Sequence, residues 1–425
     1  MNNLNDCYSG SDNPVRLADA VTVFSSKLKC HQKIEKVYIK DATNRILAED
    51  LSAQHNIPPQ DNSAVDGYAV YFDDLNTNCE TSLPLVDRVS AGHPIKQQIG
   101  RGAAVQIFTG APLPKNRNLK GPDTIFMKED VRIESNNVIL PVGAKRYANR
   151  RKLGEDVKLG DLVLRKGHQL KPQDISMVAS LGYDQVPVYQ RLKVAVFSTG
   201  DEIQDVGEKL RLGSIYDANR YFLISMLEKM NCEVNDFGIF PDIKEQIYKG
   251  ILNASEDHDI LLTSGGVSKG EEDHIKNIIE NLGVLNFWNF AIKPGRPIAL
   301  GCLKKGHFQV PFIGLPGNPV AVMITFLRIA RPIILALSGC KDLDNQFFPV
   351  ISGFNYDKKV GRREWLRASL TKDFEGNVIA KKFHSDGSGI ISSMVESSGL
   401  IELSEECEGV KVGDLVNYLP FSEVI

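Results

Sequence analysis

The sequence predicts a multidomain α/β plus β protein: a doubly wound α/β domain, an inserted β domain, a small α+β scaffold and a C-terminal β-barrel-like domain. Three observations predict it. Residues 192–337 alternate strand-like apolar runs with helical periodicity, as a mostly parallel sheet covered by helices requires. Residues 80–157 break into short β runs separated by Gly, Pro and Asn, and a scaffold-like mix flanks them on both sides, so this stretch reads as an insertion. After Gly339 the strand pattern returns with charged turns. At 425 residues the chain is too long for one core. The boundaries fall at 1–57 with 158–190 for the scaffold, 58–157 for the β domain, 191–340 for the α/β domain and 341–425 for the terminal β domain.

Composition narrows the function classes. With 42% hydrophobic residues and a net charge of −3, nothing favours nucleic acid or an anionic membrane as a partner. No apolar run approaches the roughly 20 residues that span a bilayer, and the polar start MNNLNDCYSG lacks a signal-peptide core, so a cytoplasmic protein is expected. Seven cysteines without a C-x-x-C pair and eight histidines without H-E-x-x-H spacing argue against zinc, a redox pair or a disulfide framework. Oxygen ligands are what the chain offers a metal.

Taken in order, Leu17, Val21, Phe24 and Leu28 follow helical spacing, and Val37 to Ile39 alternate as a strand. Prolines 58 and 59 then stop regular structure, and Asp66-Gly67 marks a turn that holds an acid on a constrained loop. Within the β domain, short strands are expected near 83–86, 104–108, 124–127 and 138–140. Its two notable loops are 108–112 and 150–156, the latter setting three cations beside two acids. A helix near 172–181 and a strand near 185–189 complete the scaffold. The α/β unit follows with strands near 194–197, 232–239, 260–263, 287–292, 298–302 and 310–315, and helices near 219–230 and 243–255. Ile243, Ile247 and Ile251 repeat as a sheet-covering helix requires, and a long apolar helix over 319–337 closes the unit.

The organising stretch is Leu261 to Asp273, LLTSGGVSKGEED, where a strand ends in paired glycines and then in three carboxylates. Gly265 and Gly266 let backbone N–H groups approach an anion, and a helix starting near Glu271 adds its positive end. Carboxylates beside an anion repel it unless a divalent cation lies between them. Three more strands run into special loops: 198–202 (STGDE), 241–242 (PD) and 316–319 (PGNP). Ligands of open α/β sheets bind beyond the carboxyl ends of strands, so four such loops indicate one site. The loop Lys293-Pro294-Gly295-Arg296-Pro297 brings two cations suited to an oxyanion. Each feature also has a plain structural reading: Gly265-Gly266 as a tight turn, Glu202 and Asp242 as helix caps, 150–152 as a solvated loop, 316–319 as a structural turn. Their coincidence is what argues for function.

These motifs, together with DNSAVDGYA at 61–69, TGAP at 109–112, RRKLGED at 150–156 and GLPGNPV at 314–320, resemble the molybdopterin molybdenumtransferases, the MoeA family to which the gephyrin E domain is similar. The resemblance covers nearly the whole chain. It implies an elongated homodimer with a site shared between subunits, and insertion of molybdate into adenylated molybdopterin with Mg²⁺-dependent hydrolysis that releases AMP. By resemblance Glu202, Asp242 and Asp273 bind metal and act in phosphoanhydride cleavage. Asp66 is a further catalytic acid and Lys293 contacts an anion. Ser264, Gly265 and Gly266 face the substrate, and Pro316 and Pro319 shape its wall. Asp66, Thr109 and Asp156 reach the site from the partner subunit, while Arg367 and Ser388 are terminal-domain positions near it. The enzyme that adenylylates the substrate is an expected protein partner. A non-catalytic molybdopterin-binding or scaffold protein of the same fold is the alternative, and the retained acids favour catalysis. The chain departs from the family at Val65, where Met is usual, at Asn289, where Lys is common, and at Gly389, where His is frequent. The first is expected to change packing only, and the second to weaken molybdate use.

Overall fold

A computed structural model describes residues 16–17, 24, 28, 30, 32–95, 97–116, 121–267, 274–306, 308–343 and 345–425. The expectations placed on Val21 and on 268–273, including Asp273 and the helix start near Glu271, lie outside the described residues.

The α/β domain carries a six-stranded sheet. Four strands are parallel, in the order Glu233–Phe240, Lys193–Thr199, Ile260–Ser264 and Phe308–Leu315; Pro297–Lys305 then pairs antiparallel with the last of these and Gly283–Asn289 antiparallel with Pro297–Lys305. Period-two alternation within each strand feeds two cores. Val194 and Val196 pack on one face with Leu223, Leu227 and the apolar side of the 319–337 helix. Ala195 and Phe197 pack on the other with Ile247, Ile251, Ile275 and Ile279. A sheet buried on both faces needs such continuous apolar runs. The helices are Ala218–Lys229, capped by Asp217, then Lys244–Asp257 and Ile275–Leu282.

The closing helix differs from expectation in two ways. It is α-helical over Pro319–Thr325, widens to a π-helix over Phe326–Ala330 and returns to α over Arg331–Leu337. At 19 residues it is also long and apolar enough to cross a membrane by length and composition, which corrects the reading that no run comes near that length. Its apolar surface is mostly buried by the rest of the chain, including Trp365, Leu400 and Leu419 of the terminal domain.

In the β domain, a six-stranded sheet includes Gly67–Val70, Thr81–Val89, Ala104–Ile107 and Thr124–Met127. The chain enters and leaves it side by side: Ile57 N–H donates to Val157 O at 2.7 Å and Val157 N–H to Ile57 O at 3.2 Å. In the scaffold, Ile34–Tyr38 pairs antiparallel with Gln185–Tyr189 beside the helix Pro172–Ser180. The terminal domain is a closed barrel of five strands, Arg363–Lys372, Val378–Lys382, Phe348–Ser352, Leu415–Pro420 and Gly399–Leu403, the last pairing back onto the first.

One connection positions the site. The short strand Ile292–Lys293, from the α/β domain, adds in parallel to the barrel strand Arg363–Lys372, with Lys293 opposite Glu364. The 293–297 loop is thereby fixed between two domains.

Candidate active site

Registers across the parallel strands place Thr199 beside Phe240, Ser198 beside Ser264, and Ser264 beside Leu315. The four loops picked out from the sequence therefore emerge at one edge of the sheet. Gly265 and Gly266 have φ of +88° and +66°, and a Cβ on them would lie 2.3 Å from Thr199 O and 2.4 Å from Thr199 Oγ1. Glycine is required there by close approach and by left-handed backbone. The expected anion cradle is only partly available, because Gly265 N–H donates to Leu315 O at 3.2 Å. Ser264 is buried; its Oγ accepts from Asn219 Nδ2 at 2.8 Å and donates to Pro316 O at 3.3 Å, while Asn219 also donates to Gly317 O at 2.7 Å. The Gly-Gly loop and the Pro-Gly-Asn-Pro loop are thus stitched together. Pro319 opens the helix behind them.

On the acidic side, Asp201 and Asp242 are joined reciprocally. Asp201 N–H donates to Asp242 Oδ2 at 3.3 Å and Asp242 N–H to Asp201 Oδ1 at 3.0 Å. Glu202 is exposed next to them, its carbonyl fixed by Ile215 N–H at 2.8 Å. Below them Arg220, 2% exposed, binds Asp217 and Asp205 at 3.0 and 2.7 Å and also Asp236. It clamps the loop that carries Glu202 to the strand that leads to Asp242. Tyr221 and Arg220 hold the Asp205 carboxyl below the usual carboxylate range. Among the described residues no three His, Cys, Asp or Glu side chains converge as a metal cage. The donors present, Asp201, Glu202 and Asp242, are all carboxylates, which in kind fit a hard cation such as Mg²⁺. Three buried hydroxyls at the strand ends, Ser198 Oγ, Thr199 Oγ1 and Thr263 Oγ1, have no hydrogen-bond partner among the described residues. Such orphans cost free energy and are concentrated where a polar ligand would enter.

On the basic side, a cleft of about 240 Å³ lies between the 293–297 loop and the barrel. Lys293, Arg296, Arg362, Arg367 and Ser388 line it, together with Glu364 and Asp386. Four cations against two carboxylates leave two positive charges in excess. Arg367 is 3% exposed and donates from Nε to Ser393 Oγ at 3.0 Å and from Nη2 to Ser385 O and Gly387 O at 2.8 and 3.1 Å. Burial pulls its pKa down from the usual guanidinium value. Ser388 O accepts Val320 N–H at 3.0 Å, which joins the barrel to the start of the 319–337 helix. Gly295, with φ of +94°, packs so closely that a Cβ would meet Thr325 Cγ2 at 2.6 Å and Pro316 Cγ at 3.3 Å.

The structure therefore brings Lys293, Arg367 and Ser388 into one cleft, with Pro316 and Pro319 at its side. Asp66 and Thr109 meet separately on the β domain: Asp66 Oδ1 accepts from Thr109 N–H at 2.8 Å and from Thr109 Oγ1 at 2.9 Å, and both bonds lower the Asp66 pKa. Asp156 is exposed on its own loop. Val65 packs against the β-domain core, Asn289 stands opposite Pro297 at the base of the 293–297 loop without lining the cleft, and Gly389 opens onto free space. Sequence reasoning missed Asn219, Arg220, Tyr356, Arg362 and Glu364. Of these only Arg362 and Glu364 have a local signal, the charged stretch RREWLR at 362–367 that also contains Arg367.

Three family models match the chain: the MoeA N-terminal region (domain I and II) over residues 15–182, the probable molybdopterin binding domain over 195–336, and the MoeA C-terminal region (domain IV) over 349–421. A molybdopterin molybdenumtransferase of Haemophilus influenzae is 39% identical over 396 residues, covering 92% of this chain and 95% of that one. One of Nostoc is 33% identical over 390 residues, covering 89% and 87%. The crystal structure of a molybdopterin biosynthesis MoeA protein from Pyrococcus horikoshii superposes with a TM-score of 0.82 at 28% identity, covering 96% of this chain and all of that one.

Proposed function

The chain belongs to the MoeA family of molybdopterin molybdenumtransferases, and we infer that this transferase of molybdenum cofactor biosynthesis inserts molybdate into adenylated molybdopterin with hydrolytic release of AMP. The observation that carries the reading is the meeting of Lys293, Arg367 and Ser388 in a cleft with two excess positive charges. A tetrahedral dianion matches that excess, and the buried, pre-oriented guanidinium of Arg367 suits an oxyanion better than a mobile lysine does.

The strand-end loops supply the other wall. Ser264, Gly265 and Gly266 would line the side that takes the pterin and its phosphates, next to the buried hydroxyls of Ser198, Thr199 and Thr263, which have no hydrogen-bond partner among the described residues. Glu202, Asp242 and Asp273 would hold Mg²⁺, which when bound neutralises charge on phosphoanhydride oxygens. Asp201 orients Asp242 through the paired backbone bonds. The two Thr109 bonds lower the Asp66 pKa and favour its carboxylate, so it serves as a fixed negative charge. As Asp66, Thr109 and Asp156 stand on the β domain, our reading has them serve the site of the partner subunit in a homodimer. The adenylylating enzyme that supplies the substrate is the protein partner this reading calls for.

Equilibrium binding of molybdate to the purified chain tests the cleft. Loss of binding in a folded Lys293→Met variant is expected, and undiminished binding would remove Lys293 from the anion site.

A further inference from the structure

The cleft holds a buried carboxylate beside the cations that an anion would use. Glu364 is 1% exposed; its Oε2 lies 3.5 Å from Lys293 Nζ and its Oε1 2.6 Å from Arg362 Nε. Tyr356 OH donates to Glu364 Oε2 at 2.8 Å and accepts from Lys293 Nζ at 2.9 Å. Burial and the Glu364 carboxylate push the Tyr356 hydroxyl pKa up, so it stays a donor. The proximity is imposed by the backbone, since Lys293 and Glu364 are register partners where the 292–293 strand joins the barrel. A buried carboxylate is costly unless paired, and here its partners are two of the four cations of an anion cleft.

We propose that Glu364 is a built-in counter-charge that competes with the bound oxyanion for Lys293 and Arg362. It is a positioning and affinity-setting residue: it keeps the cleft at two excess charges and holds the anion loosely enough to leave for the pterin sulfurs. Without it the excess becomes three, Lys293 is released toward the cleft, and the oxyanion is held more tightly and transferred less readily. This rests on the reading that the cleft takes molybdate.

Calorimetric titration of the full chain with molybdate, and with sulfate as a second dianion, tests it. Removing one unit charge several ångströms from the anion at an intermediate effective dielectric changes affinity by about ten-fold or more. Glu364→Gln is therefore expected to bind molybdate about ten-fold more tightly, with lower turnover at saturating molybdate. Glu364→Asp keeps the buried charge and the fold but draws the carboxylate back by one methylene, and should tighten binding by about two- to three-fold. Should Glu364→Gln fail to fold, Glu364→Asp carries the test. A purely structural Glu364 would leave affinity unchanged or weaken it in the folded variants, and that result overturns the proposal. Wild-type protein that binds molybdate no better than Arg367→Ala overturns the cleft reading itself, and the proposal with it.

Discussion

Asp66 accepts two hydrogen bonds from a single residue, Thr109, one from its amide at 2.8 Å and one from its hydroxyl at 2.9 Å. Both favour the charged carboxylate and lower its pKa. Because the folded value lies below the unfolded one, the stability linked to this pair is present above the ordinary carboxylate range and is lost as pH falls through the lowered pKa. In Thr109→Val, which keeps the amide and deletes the hydroxyl, NMR titration should show the Asp66 pKa moving part of the way up. An unmoved value would mean that the hydroxyl bond is not formed.

Arg220 joins three acids on three segments. Replacing it with Met leaves Asp217, 3% exposed, without its counter-ion, and breaking such a buried pair costs about 3–5 kcal/mol. Denaturant unfolding of Arg220→Met should show a loss of that order. A loss under about 1 kcal/mol would mean that the network is solvated.

Arg367→Lys keeps the charge but removes the planar fork that Ser393, Ser385 and Gly387 hold in place. Half-saturating molybdate should rise about ten-fold, the weight of one well-placed charge-assisted bond. Calorimetry of the folded variant checks it, and unchanged affinity would mean that position, not fork geometry, is what the anion reads.

Much of this was legible in the sequence because it is local. Apolar runs ending in Gly, Pro and acids announce strand ends at Thr199, Phe240, Ser264 and Leu315, and parallel topology brings such ends together without further information. The cleft was less legible. The sequence marks Lys293, but Glu364 arrives opposite it through a strand addition between domains and Tyr356 through hydroxyl bonds to both, which no local pattern encodes. The claim of Leu315 O on Gly265 N–H was equally invisible, since a Gly-Gly pair reads the same whether its amides face a ligand or a neighbouring strand. The π-helical turn at 326–330 contains no proline or glycine, but Pro332 just beyond it has no N–H to give the Arg328 carbonyl, a local signal for the break in the helix. The sequence predicts a weakened anion contact at Asn289, which stands at the base of the loop opposite Pro297. Asn289→Lys should lower half-saturating molybdate, and an unchanged value would remove position 289 from the site.

Asp66 and Glu202 belong to different domains, and the shared-site reading places them in one site from two subunits. Each inactive single variant, Asp66→Asn and Glu202→Gln, should regain partial activity when the two are co-assembled, because one of the two sites in a heterodimer is then intact. Confirmed heterodimers without activity would count against cross-subunit sites.

The proposed reaction couples molybdate insertion to AMP release. Purified chain supplied with adenylated molybdopterin, Mg²⁺ and molybdate should release AMP and yield molybdenum-loaded molybdopterin in equal amounts, with both products lost in Asp242→Asn. Tight binding of adenylated molybdopterin without AMP release or molybdenum insertion would rule out this reaction and leave a binding or scaffold protein of the same fold.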